Sequence, residues 1–159
     1  VMANGSLNYT VKGICIGMKV TWNYTPPTNG GDTFTSIKKG SKATLKIVQD
    51  EKNGFVKELY IQKEPDIDNR TFEAQLQKTV EQLQITYPFL SVKNKKNGTY
   101  LIDIPQEKRL GHEEHFSKVA KAFLHYVDNK DMPEWENENT LAKYYITTTA
   151  VEMAKKGNK

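Results

Sequence analysis

The chain has 159 residues, of which 37% are hydrophobic and 26% charged, with a formal net charge of +4. A chain of this length builds one domain whose core needs no disulfide or metal. Its lysines are scattered among acidic residues, which argues against a nucleic-acid partner, and no apolar run reaches the ~18 residues of a membrane span. The single cysteine, Cys15, excludes an internal disulfide and a cysteine-based metal cage.

The first half of the chain is patterned as β-strands, because apolar and polar residues alternate with a period of two. The predicted strands are residues 7–12, 14–24, 43–48 and 55–62. Lys12-Gly13 is expected to form a turn or bulge between the first two, and Pro26 ends the second. A polar loop with a glycine at Gly54 is expected to join the last two as a hairpin.

The period changes at Asp66. One helical stripe is formed by Phe72, Leu76, Val80, Leu83 and Tyr87. Asp68 or Asn69 is expected to cap this helix, and Pro88 to close it. Residues 90–92 and 99–104 are then predicted to pair as a hairpin through residues 95–98.

Two helices are predicted to complete the chain, separated by Met132-Pro133. The first begins near Gly111 and carries an apolar stripe at i, i+3 and i+4 spacing. This stripe consists of Phe116, Val119, Ala120, Phe123, Leu124 and Val127. The second has a weaker stripe from Leu141 to Val151 and a helix end at Gly157.

Strands that precede helices, without βαβ alternation, predict an α+β domain. We expect one domain over residues 1–159, with a mainly antiparallel open sheet and helices packed on one face. The other sheet face would be left free. A large exposed apolar face normally meets a partner, so we expect a homo-oligomer formed through the sheet.

No phosphate-binding loop is present. Neither G-x-G-x-x-G after a strand nor G-x-x-x-x-G-K-S/T occurs, and Gly30-Gly31 lies in a proline-containing loop. The glycine turn that brings a backbone close to a diphosphate at a helix start is therefore missing. We expect no cofactor-binding residues and no cofactor in this chain.

His112-Glu113-Glu114-His115 resembles a metal motif, but its histidines are three residues apart, whereas zinc proteases place them four apart. A metal would need a third ligand from elsewhere. The alternatives are solvated histidines at a helix start or contacts to a substrate or partner domain. We expect no metal ligands, and no catalytic nucleophile is recognisable.

The order of several short motifs resembles a known family. These motifs are Val20-Thr21-Trp22-Asn23-Tyr24, Gly31-Asp32-Thr33, Lys39 to Leu45, Gly111-His112-Glu113, Pro133-Glu134-Trp135-Glu136 and Ala142-Lys143-Tyr144-Tyr145. They resemble the carboxy-terminal domain of the glucose–fructose oxidoreductase / inositol dehydrogenase / MocA family, and more narrowly an oxidoreductase branch found in gut Bacteroidetes.

This resemblance implies a parent enzyme with an amino-terminal Rossmann domain that binds NAD or NADP. The family reaction is hydride transfer at a sugar-type hydroxyl carbon. Its catalytic lysine and histidine belong to regions that this chain lacks, so the chain alone is not expected to be catalytic. We expect Asp32, Thr33, His112 and His115 to bind substrate. Phe34 stands where the resemblance predicts a histidine, which indicates a different ligand or an inactive parent.

The leading hypothesis is thus the substrate-side and assembly domain of an NAD(P)-dependent sugar or polyol oxidoreductase. The expected partners are the parent's Rossmann domain, a sugar-like small molecule and a second copy. The alternative is a stand-alone binding or scaffold domain of the same fold without redox activity. A start at Val1-Met2-Ala3, close to a strand, is expected of a domain cut from a longer protein. The sequence leaves the compartment open, cytoplasmic or periplasmic.

Overall fold

The computed structural model describes residues 4–28 and 30–157. The expected cut at Val1-Met2-Ala3 and Asn29 in the proline-containing loop lie outside these residues. The chain divides into two compact units. The hairpin–helix unit comprises the described residues of Val1–Thr25 and His112–Lys159, and the sheet unit comprises those of Pro26–Gly111.

Seven strands and three α-helices make up the described fold, which is α+β as predicted. In chain order they are β1 (Gly5–Val11), β2 (Ile14–Val20), β3 (Phe34–Lys39), β4 (Ala43–Gln49), β5 (Glu58–Lys63), α1 (Asn69–Gln84), β6 (Ser91–Asn94), β7 (Thr99–Asp103), α2 (His112–Asn129) and α3 (Glu134–Gly157). None of these helices is sufficiently long and apolar to cross a membrane.

In the hairpin–helix unit, β1 and β2 form an antiparallel hairpin. Its two turn residues, Lys12 and Gly13, have φ angles of 48° and 79°. Positive φ at both positions matches the type I′ turn, whose twist suits a two-residue hairpin, so the predicted turn is confirmed. The predicted extension of β2 to residue 24 is wrong. Its ladder ends at Val20, and the backbone N–H of Trp22 instead donates to Asn4 Oδ1 at 2.6 Å.

The sheet unit contains a five-stranded antiparallel sheet with the order β3-β4-β5-β7-β6. The edge strand β3 was not predicted, because only one of its interior residues, Ile37, is apolar. The start of β5 is three residues later than predicted. Gly54 and Phe55 have φ angles of 64° and 60°, so the chain is still turning where the sequence pattern already alternates.

Helix α1 packs on one face of this sheet. The rings of Phe72 and Tyr100 are 5.6 Å apart, and the Tyr100 hydroxyl donates to Glu73 Oε1 at 2.9 Å. Burial, followed by this hydrogen bond, raises the pKa of Tyr100. The buried apolar residues of the described chain are Val80, Tyr100, Leu101 and Ile102. Tyr100 and Ile102 point to the face that α1 covers, so the core lies mainly between α1 and the central part of this sheet, whereas Leu101 is buried on the opposite face.

The opposite face of the same sheet is mainly polar. Side chains of register partners share a face, so this face carries Lys93, Leu101, Tyr60, Lys46 and Ile37 along one row. Adjacent rows hold threonine, glutamate, glutamine and aspartate side chains. The sequence analysis expected this free face to be apolar, but the residues that alternate with the core-facing ones are mostly polar.

Candidate functional site

The Asp32-Thr33 step lies in the loop that leads into β3. This loop is shaped by Gly30, whose backbone N–H donates to the Pro27 carbonyl at 2.7 Å. A Cβ on Gly30 would lie 2.7 Å from the Pro27 ring, so no larger residue fits without a shift. Gly31 follows, and a Cβ there would be 3.6 Å from Phe55. The turn and the Phe55 contact together position the next two residues.

Asp32 and Thr33 are exposed, and within the described residues their side chains make no hydrogen bond. A carboxylate accepts hydrogen bonds through two oxygens, and a threonine hydroxyl both donates and accepts. Within the described residues, the loop therefore presents a carboxylate and a hydroxyl that are open to hydrogen bonding.

Phe34 forms one flank of this loop at the start of β3. It is 44% exposed, and Lys57 Nζ lies 5.1 Å from its ring centroid. The Lys57 carbonyl accepts a hydrogen bond from Arg109 Nη1 at 2.7 Å, and Arg109 Nε donates to the Ile104 carbonyl at 3.0 Å. Arg109 thus anchors the Lys57 backbone, and the Lys57 ammonium group lies over the Phe34 ring beside the loop. Because phenylalanine has no titratable group, this position transfers no proton.

Sequence reasoning missed Phe55, Lys57 and Arg109 as parts of this loop's surroundings. No motif spacing links them to Asp32. Two of the contacts depend on Phe55 adopting a positive φ and on Arg109 reaching a carbonyl 52 residues away. Phe34 comes near Lys57 because β3 pairs with β4 and β4 pairs with β5. Since β3 was not predicted, no sequence signal indicated this proximity.

His112 and His115 lie in the first turn of α2 and are exposed. The His112 ring meets the Phe116 ring edge-on at a centroid distance of 4.8 Å. These histidines belong to the hairpin–helix unit, whereas Asp32 and Thr33 belong to the sheet unit. Across the described residues, no three histidine, cysteine or acidic side chains cluster as a metal site would require.

The starts of the described α-helices carry carboxylate side chains. At α1, Asp68 accepts a hydrogen bond from the Thr71 N–H at 2.8 Å, and this bond lowers the pKa of its carboxyl group. Acidic residues also occupy the first turns of α2 and α3: Glu113, Glu114, Glu134 and Glu136. A diphosphate binds where free N–H groups and a positive dipole meet it, and carboxylates already fill or repel that position.

A second polar group lies on the sheet face opposite α1. The Tyr60 hydroxyl donates to Glu58 Oε2 at 2.5 Å, and this bond, with burial and the nearby carboxylate charges, raises the pKa of Tyr60 to about 12. Lys93 forms an ion pair with Asp103 at 2.6 Å. Each pair joins two side chains of the same sheet face, so both pairs are interpreted as supports of the sheet.

These elements define an α+β fold in which the exposed Asp32-Thr33 loop precedes the edge strand of an open antiparallel sheet. The chain belongs to the family described as "Putative oxidoreductase C terminal domain", whose model matches residues 1–155. It is therefore an oxidoreductase-associated domain, as the motif order predicted.

A solved structure from Parabacteroides merdae ATCC 43184, described as a putative oxidoreductase, is similar over 97% of this chain. The sequence identity is 39% and the TM-score 0.92. The match covers 35% of that chain, so the present chain spans about a third of its length. No curated protein matches the chain significantly.

Proposed function

We propose that the chain is the substrate-side and assembly domain of a nicotinamide-dependent oxidoreductase that acts on a sugar or polyol. The observation that carries the proposal is the family match over residues 1–155. It is supported by the similarity to about a third of a longer oxidoreductase chain. The motif order of the glucose–fructose oxidoreductase / inositol dehydrogenase / MocA family supplies the substrate class.

The proposal divides the chemistry between two parts of a parent protein. NAD or NADP is held by an amino-terminal Rossmann domain, which accepts hydride from a hydroxyl-bearing carbon. The present chain holds no cofactor, in keeping with carboxylates at its helix starts and the absence of a glycine-rich strand–helix turn. Its own residues bind and orient the substrate's hydroxyl groups.

Asp32 and Thr33 are the proposed hydroxyl-binding pair. Their loop is held by the Gly30 turn. Within the described chain, the two side chains are exposed and bind no other group. Because the loop backbone is held, only the two side chains have to be ordered when a substrate binds. His112 and His115, exposed at the start of α2, are proposed as further polar contacts of the parent's substrate.

The test is steady-state kinetics of the full-length parent with a panel of sugars and polyols. Asp32→Asn and Thr33→Val are expected to raise KM for the best substrate, by about 10- to 100-fold for the charged partner and less for the neutral one. KM for the nicotinamide should stay the same. Thr35→Val is the matched control, because Thr35 is also exposed, two residues further along, but lies within β3.

Unchanged turnover after alanine substitution of Asp32, Thr33, His112 and His115 would reject these residues as substrate contacts. Binding of a sugar by a parent that takes up no nicotinamide would favour the alternative, a binding or scaffold protein without redox activity. Tight stoichiometric metal in the purified parent would revive the metal-dependent alternative at His112 and His115.

The proposed assembly is a homo-oligomer formed through the sheet. It is supported by the outer edge of β3, which no strand of the described residues pairs, and by Ile37, which is 52% exposed on the face opposite α1. An unpaired strand edge is a ready surface for another chain. Sedimentation velocity is expected to show a dimer, and a strictly monomeric profile at high concentration would contradict it.

A further inference from the structure

The hairpin–helix unit has no core of its own among its described residues. All residues that are buried in the described chain belong to the sheet unit: Lys63, Val80, Tyr100, Leu101 and Ile102. An amphipathic helix normally gains its stability by covering its apolar face. A unit that contains such a helix and, among its described residues, no buried side chain is therefore missing the surface that covers that helix.

The clearest uncovered face is the apolar stripe of α2. Its exposed fractions are 63% for Phe116, 67% for Val119, 63% for Phe123, 58% for Leu124 and 54% for Val127. Aromatic side chains present roughly 150–250 Å², so the stripe exposes on the order of 400 Å² of apolar surface. Patches of that size on soluble proteins usually mark an interaction site.

The other side of α2 is polar, which gives the helix one defined docking face. Lys118, Lys121 and His125 project away from the stripe at helical spacing. His125 Nε2 lies 3.0 Å from Asp131 Oδ2, so this side already has local partners. The polar side is therefore expected to face water, and the apolar stripe is expected to pack against a protein surface.

The β1–β2 hairpin is a second, independent element of this unit whose apolar face is uncovered. Its register places Leu7 with Met18, Tyr9 with Ile16 and Val11 with Ile14 on one face. Four apolar side chains on this face, including Val20 at the end of β2, are exposed: Val11 40%, Ile14 66%, Met18 38% and Val20 42%. A lone two-stranded hairpin is marginal in water, and an apolar face makes it dependent on a neighbour.

We infer that the α2 stripe (Phe116, Val119, Phe123, Leu124 and Val127) is the docking surface for the polypeptide that precedes this domain in its parent. The inference rests on the proposed function, because that polypeptide is the proposed cofactor-binding part. About two thirds of the similar Parabacteroides merdae chain lies outside the match, and the family description places this domain at the carboxyl end.

A covalently linked segment also has the advantage over any separate molecule. Linkage raises its effective concentration to about the millimolar range, so it covers an apolar face before a second copy at micromolar concentration does. The stripe is thereby assigned to an intramolecular interface of the parent.

The first test is hydroxyl-radical footprinting of the full-length parent, with labelling rates corrected for intrinsic reactivity. Tyr87, which is 47% exposed in the sheet unit, is the internal reference. Phe116 and Phe123 are each 63% exposed in the chain's own structure, so without a cover they should label faster than Tyr87. Burial to below about 10% at an interface core predicts labelling slowed about six-fold.

Protection that persists on dilution to nanomolar concentration supports the inference. Protection that disappears on dilution assigns the stripe to a second copy and overturns it, as does full labelling at all concentrations. The second test is Phe123→Ser in the parent, which should lower the melting temperature or split one unfolding transition into two. Lys121→Ser, on the polar side of the same helix, is the matched control and should change neither. A Phe123→Ser parent that melts like wild type would count against the inference.

Failure of the proposed function is read out separately. Titration of the same wild-type parent with a nicotinamide cofactor measures that function and does not depend on the state of α2. A protected stripe in a parent without cofactor binding would reject the function and retain the docking surface. A labelled stripe in a parent that binds cofactor would do the reverse.

Discussion

Replacing a helical valine by alanine is expected to affect stability differently in the two units, because only the sheet unit has a buried core. Val80 in α1 is 4% exposed, whereas Val119 in α2 is 67% exposed. Removing two buried methyl groups costs about 1.6 kcal/mol, and the residual cavity raises this to about 2.5 kcal/mol. Alanine's better helix propensity returns about 0.5 kcal/mol, so Val80→Ala is expected to cost about 2 kcal/mol net.

Val119→Ala in the 159-residue chain removes no buried contact. Only the propensity difference remains, so stability is expected to change by less than about 0.5 kcal/mol, in the stabilising direction. In the full-length parent, where we infer that the stripe is covered, the same change should become destabilising. Comparing the chain with the parent therefore separates intrinsic helix stability from the docking contribution.

The assay is native-state hydrogen exchange at the amides of β7, which report on unfolding of the sheet unit. A loss of about 2 kcal/mol predicts exchange about 30-fold faster at the most protected amides after Val80→Ala. Val119→Ala should leave those rates unchanged in the isolated chain. Equal effects of the two substitutions, or a Val80→Ala effect below about three-fold, would refute this account of where the core lies.

Three further predictions concern the sheet unit. The pKa of Tyr60 is raised to about 12, mainly by its hydrogen bond to Glu58, so the folded state keeps the proton longer. Stability should be unaffected below pH 10 and fall as pH rises towards 12, and Glu58→Gln should weaken this dependence in alkaline urea titrations. The ammonium group of Lys63 donates to backbone carbonyls between β5 and α1. Lys63→Met is therefore expected to lower the free energy of unfolding by about 1–3 kcal/mol, measured by urea unfolding. Gly98 has a φ of 70°, so Gly98→Ala should cost about 1 kcal/mol in thermal unfolding, whereas Gly5→Ala, which has open space and no positive φ, should cost less.

Periodicity predicted the fold class and most elements because burial on one face leaves a regular trace in the sequence. The α1 stripe through Phe72 and Val80 and the Lys12-Gly13 turn were both recognisable in this way. Strand β3 left no such trace, since an exposed edge strand needs few apolar residues. The false extension of β2 beyond Val20 has the opposite cause: Trp22 continues the alternation, but hydrogen bonding to Asn4 takes its backbone out of the ladder.

The candidate site was less accessible to sequence reasoning. Asp32 and Thr33 were identified by resemblance, and their placement as substrate ligands stays a prediction. The contacts that shape their loop arise from tertiary structure, as with Lys57 over the Phe34 ring. A pattern of residues shows which face of a helix is apolar, but it does not show what covers that face. The exposed stripe of α2 therefore became visible only from the accessible surface.

We propose that this domain contributes a substrate surface and that another part of its parent binds the nicotinamide. The most direct measurement is calorimetric titration of the 159-residue chain and of the full-length parent with NADH and NADPH. We predict no saturable binding to the chain and saturable binding of one cofactor per chain to the parent. Stoichiometric, saturable binding by the 159-residue chain, or none by the parent, would contradict the account.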